Sequence, residues 1–185
     1  MSLFLNQIIE KSTAHRLDRQ QNADLILEKT ELFEELLHLA FDFRNPNHFK
    51  ACWTLELVLE QNLELLFPHL DFFLHNFKLF ENDSAMRSIS KITMFLSKKH
   101  FNEKKSGNIF LKEDQINAIT ELGFDKIITP ETKVASKAYL IRALFFLGFE
   151  IPWIHAELKL ILLNDYHSHS AAYQAVAKEI LKKLK

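Results

Sequence analysis

The groups in this chain that can do chemistry are nine histidines, one cysteine, several carboxylate pairs and a scatter of lysines. The densest cluster is Asp165-Tyr166-His167-Ser168-His169, in a loop before the last predicted helix. An aspartate and two histidines at this spacing are a donor set that zinc or another transition metal accepts. The same residues also suit a turn that caps the following helix, and no His-Glu-x-x-His or cysteine-rich segment accompanies them. Asp165, His167 and His169 are therefore weak metal candidates, and no cofactor is expected. His69 and His75 stand six apart, off any one helical face. Cys52 lies within an apolar helix, where a thiol stays protonated and inert. Glu34 and Glu35 fall on an acidic solvent face. Nucleophile elbows, phosphate loops and dinucleotide fingerprints are absent from the sequence, so no catalytic set is assigned.

The elements that must position these groups are helical. Glycine (3) and proline (4) are too scarce to turn a β-sheet, while 48% of residues are hydrophobic. The fold class expected is all-α, with about ten helices. Apolar spacing places them at Ser2 to about Ser12, Asp18–Glu28, and from a Thr30 cap to Phe41. Asn45-Pro46 reads as a cap-plus-proline start for a helix reaching Asn62. Leu65–Phe80 and Ser84–Lys99, capped by Asp83, follow. After a loop at 101–111 come a helix at 112–122 stopped by Gly123, one from Thr129-Pro130 to Leu147, Pro152–Leu163, and Ser170–Leu184. The helices from Pro46 and from Pro130 are apolar on nearly every side, which predicts that each is sandwiched between neighbours.

An internal repeat ties them together. At an offset of 87, Lys50-Ala51 aligns with Lys137-Ala138, Leu57 with Leu144, Ile89 with Val176 and Lys91 with Lys178. An offset of 37 aligns Lys50 with Arg87. A period of about 40 residues built from helix pairs marks HEAT and armadillo repeats. Asp83-Ser84-Ala85-Met86-Arg87-Ser88-Ile89-Ser90 resembles the start of a second HEAT helix, with Phe49-Lys50 and Ser136-Lys137 as degenerate versions of its aliphatic-basic pair. The resemblance covers about residues 30–184. It implies a right-handed α-α superhelix: one domain over 1–185, with capping helices at 1–29, a first repeat unit at 30–100, the loop at 101–111 and a second unit at 112–185.

The chain is also similar to a family of short bacterial HEAT-like proteins, some of which carry the label adenylosuccinate lyase. Lyases of that superfamily are more than twice this long and carry a Gly-Ser-Ser loop. No Gly-Ser-Ser occurs here, and the only methionines are Met1, Met86 and Met94, so lyase activity stands last among the expectations.

Equivalent positions in stacked repeats form ladders. Lys50, Arg87 and Lys137 make one basic ladder, and Lys91 with Lys178 another; Lys178, Lys182 and Lys185 share a stripe. Such ladders suit an acidic protein partner or, alternatively, a nucleic-acid backbone. The other reading is that the basic residue braces its own repeat. Net charge is −1, split into −6 over residues 1–81 and +5 over 82–185. The expected role is a non-enzymatic protein-binding scaffold. The alternative is a nucleic-acid-binding protein resembling HEAT-like DNA glycosylases, which would need Trp53 or Trp153 exposed. The lone cysteine and the lack of a basic, apolar leader in MSLFLNQIIEKS suggest a reducing cytoplasmic setting. The longest apolar run, Ala143–Phe149, is far short of the ~20 residues a membrane span needs.

Overall fold

A computed structural model describes residues 3–184. Ser2, at the start of the first predicted helix, and Lys185, of the C-terminal basic stripe, lie outside them. Among the described residues there are ten α-helices, three 3₁₀ segments and no strand. None of these helices is long and apolar enough to cross a membrane. The chain divides into two compact units, one up to Ile92 and one from Thr93. The division falls inside a helix, not in the loop expected at 101–111.

The first unit is built around α4 (His48–Gln61), which packs against α2 (Arg16–Glu28) and α3 (Phe33–Ala40), with α1 (Leu3–Lys11) touching both α3 and α4. Ala51, Cys52, Leu55 and Val58 of α4 are wholly buried. Burial on more than one side of α4 is what its nearly continuous apolar circumference requires. α4 starts two residues after Pro46. The Asn45 side-chain oxygen accepts the Asn47 N–H at 2.9 Å and the Asn45 carbonyl accepts that of His48 at 3.1 Å, so a turn closes over the proline first. The single helix expected over Leu65–Phe80 is broken. A 3₁₀ segment (Leu63–His69) containing Pro68, which has no N–H to give, leads into α5 (Leu70–Asn76) and a 3₁₀ turn (Phe77–Leu79).

α6 (Asp83–Lys105) carries residues of both units. Asn82, not Asp83, caps it: its side-chain oxygen accepts the N–H groups of Ser84 and Ala85 at 3.0 and 3.1 Å. Residues 101–105, expected as loop, continue the helix. The loop is reduced to 106–112, turning at Gly107 with φ +81°.

The second unit is built around α8 (Val134–Leu147), which packs against α7 (Glu113–Ile128), α9 (Pro152–Asp165) and α10 (Ala171–Lys183). Leu140, Ile141, Ala143 and Leu144 are wholly buried. Pro130 again sits in a turn, closed by Thr132 N–H on the Thr129 carbonyl at 3.2 Å, before α8 begins. Gly123 does not stop α7. A Cβ there would come within 2.9 Å of Leu144, so glycine lets α7 close on α8.

Candidate functional site

The basic positions fold into different surroundings. Lys91 donates to Glu56 and to Glu60, each at 3.0 Å, and Arg87 approaches Glu56 at 3.5 Å. The Glu56 side chain is only 5% exposed and also accepts the Ser88 hydroxyl at 2.7 Å. Burial pulls the Lys91 ammonium down, but its bonds and charge contacts with Glu56 and Glu60 outweigh that and hold it above its ordinary value. Arg87 and Lys91 thus brace α6 against α4. Lys50 donates to the Glu10 carbonyl at 2.6 Å. Lys137 is only 1% exposed; burial lowers its pKa against the opposing charges of Asp165 and Glu131. Of the five expected binding residues, Lys137 is buried, Lys50, Arg87 and Lys91 are part-buried, and Lys178 is exposed.

Lys178 lines a groove where the end of α9 meets α10. The groove has a volume of about 460 Å³; Leu163, Tyr166 and Leu181 supply its apolar lining, and His167, Lys178 and Lys182 its polar one. α9 is amphipathic in an unusual sense. Its inner face buries Ile154, Leu158 and Leu162, yet Trp153, Leu160 and Leu163 are all more than half exposed. Trp153, Ala156, Leu160 and Leu163 recur at the spacing of a coiled-coil seam, so α9 carries a second apolar stripe turned to solvent.

The Asp165/His167/His169 set does not gather into a ligand shell. His169 lies 3.8 Å from Asp165 and its ring stacks on Tyr173 at 4.2 Å, while His167 goes to the groove beside two lysines. Among the described residues no three histidine, cysteine or acidic side chains come together to hold a metal. Tyr173 is buried with no hydrogen-bond partner for its hydroxyl. Burial first, and the Asp165 charge second, push its pKa up to about 12. Cys52 is fully buried, and burial raises its thiol far above the ordinary range. Trp53 packs edge-on against Phe49 at 5.0 Å with Arg19 over its ring, whereas Trp153 stacks on Phe124 and stays exposed.

Sequence reasoning missed one further cluster. His100, 2% exposed on α6, accepts the Leu111 N–H at Nδ1 (3.0 Å), so the ring proton sits on Nε2 and is donated to Glu150 at 2.7 Å. Lys104 donates to the other oxygen of Glu150 at 2.9 Å. The Lys104 bond chiefly, with His100 adding to it and burial opposing, holds the Glu150 carboxyl below its usual range. Both imidazole nitrogens are occupied, so the ring has no free base and serves to hold the 106–112 loop. The separation of 50 residues between His100 and Glu150 leaves no local sequence signal.

No protein-family model, curated protein or solved structure matches this chain.

Proposed function

We propose that the chain is a non-enzymatic adaptor that binds an acidic, amphipathic helical segment of another protein along α9 and α10. The observation that carries this reading is the α9–α10 groove. An apolar floor of Leu163, Tyr166 and Leu181 is rimmed by Lys178 and Lys182, and an apolar seam continues along α9 through Leu160. Helix-in-groove recognition reads apolar anchors at i, i+3, i+4 and i+7, and lysine rims select acidic flanks. A HEAT-like stack belongs to the same reading. α4 and α8 play matching parts in their units, as a duplicated helix-pair plan requires, and such stacks use helix faces as binding surfaces. The nucleic-acid alternative draws less support, because Arg87 and Lys91 are turned to Glu56 and Lys137 is buried, which removes most of the expected basic ladder.

The test is fluorescence anisotropy with a labelled synthetic helix bearing leucines on one face and glutamates beside them. Wild-type protein should bind it. Lys178→Glu/Lys182→Glu and, separately, Leu163→Asp should each weaken binding about tenfold or more. Equal binding by both variants, or stronger binding to single-stranded DNA than to the peptide, overturns the proposal.

A further inference from the structure

The second unit holds another concavity, independent of the α9–α10 groove. A cleft of about 520 Å³, within the size range of small-molecule sites, lies by the last turns of α6 and the end of α8. Three rings, Phe101, Phe146 and Phe149, line it. Its polar lining is the His100–Glu150–Lys104 cluster and Lys105.

Phe149 is 54% exposed yet fixed in place. Its ring meets Phe101 at 4.6 Å, Phe145 at 5.1 Å and His155 at 5.0 Å. Gly148 makes room for the last of these: a Cβ there would fall 2.0 Å from the His155 ring, which is itself tied to the Phe145 carbonyl at 2.8 Å. An exposed phenylalanine held from several sides is a preorganised apolar surface, whose use by a ligand costs little conformational entropy.

The charges in the cleft also select. Lys104 and Glu150 neutralise one another, and the His100 proton is shared with that same carboxylate. Lys105 is exposed, with its ammonium 4.2 Å from the centre of the Phe101 ring and no carboxylate in the cleft left for it. The cleft therefore offers the rings of Phe146 and Phe149 and one positive charge beyond the Lys104–Glu150 pair, which suits a ligand carrying one negative charge.

We propose that this cleft binds a small aromatic monoanion, its ring against Phe146 and Phe149 and its carboxylate on Lys105. Such a group is supplied by a free aromatic acid or by the carboxyl terminus of a polypeptide ending in an aromatic residue. The chemistry of the site is the same for both.

The experiment is a titration of the full chain, followed by ¹H–¹⁵N NMR, with N-acetyl-phenylalanine, N-acetyl-phenylalaninamide and N-acetyl-glycyl-glycyl-phenylalanine. The acids should shift amides at 100–105 and 146–150. The amide should bind about tenfold more weakly, since it loses a charge-assisted bond. Lys105→Gln, at an exposed position, should remove the preference for the acid, and Lys105→Arg should retain it. Tighter binding of N-acetyl-phenylalanine than of the tripeptide names a free acid as the ligand; the reverse order names a chain terminus. Equal binding of acid and amide, shifts confined to other residues, or no shift up to about 10 mM overturns the proposal.

Discussion

Glu56 is the residue whose removal the structure prices most clearly. It stands between Leu55 and Leu57 on the central helix of the first unit, and its side chain is almost wholly buried. Its carboxylate holds Ser88 at 2.7 Å and Lys91 at 3.0 Å, with Arg87 at 3.5 Å. In Glu56→Ala, the fully buried Ser88 hydroxyl loses its acceptor, at a cost of about 1–3 kcal/mol, and Lys91 loses a charge-assisted bond of about 1.5–3 kcal/mol. Arg87 is 41% exposed and turns to water, and Lys91 keeps Glu60, so neither cation is stranded. The total is about 2.5–6 kcal/mol. Glu56→Gln keeps an acceptor for Ser88 and loses only the charge, so it should cost about 1.5–3 kcal/mol. The assay is urea unfolding followed by fluorescence in a Trp153→Phe background, where Trp53 is the sole tryptophan and reports on the first unit. Glu56→Ala costing less than about 1 kcal/mol, or Glu56→Gln costing as much as Glu56→Ala, would refute the bracing account of Arg87 and Lys91.

The second unit should lose stability on acidification. Lys104 chiefly holds the folded Glu150 carboxyl below its unfolded value of about 4.5, so the stabilisation is complete above that pH and disappears as pH falls through the lower folded value. Glu150→Gln should flatten the acid limb of a stability-versus-pH curve measured by thermal unfolding. Lys137→Met should be neutral or stabilise by about 1 kcal/mol, because it removes a buried amine whose charging is disfavoured; Lys137→Glu should unfold the second unit, read by circular dichroism. Cys52 should resist a thiol reagent such as dithionitrobenzoate in the native protein and react at once in urea; fast native labelling would contradict its burial.

The features legible in the sequence were those with a period. Ten apolar stripes gave ten helices among the described residues, and the two that were apolar all round, α4 and α8, each pack against three others: α1, α2 and α3 on α4, and α7, α9 and α10 on α8. Boundaries were misplaced where one residue serves two purposes. Pro46 and Pro130 shape turns ahead of their helices, and Gly123, a stop by propensity, is a close-packing point inside α7. The lysine equivalences are silent about direction. Whether Lys91 meets a partner or Glu56 depends on a carboxylate 35 residues away, and Lys137 is buried. His167 and Lys178 were singled out separately, for metal and for partner binding; only folding brings them to one groove.

The end of α3 bears on the order in which the first unit assembles. The Ala40 carbonyl, one of the last of that helix, accepts a hydrogen bond from His48 Nδ1 at 3.2 Å and lies 3.6 Å from the Cys52 thiol, both on α4. α3 has only eight residues, too few to persist alone in water. Its final turn is therefore closed by side chains that exist in place only once α4 has formed. The contacts span eight and twelve residues, so the loop to be closed is short and the search is fast. In a pulsed hydrogen-exchange experiment the α3 and α4 amides should gain protection in one kinetic phase, with α3 as the follower and α4 the template.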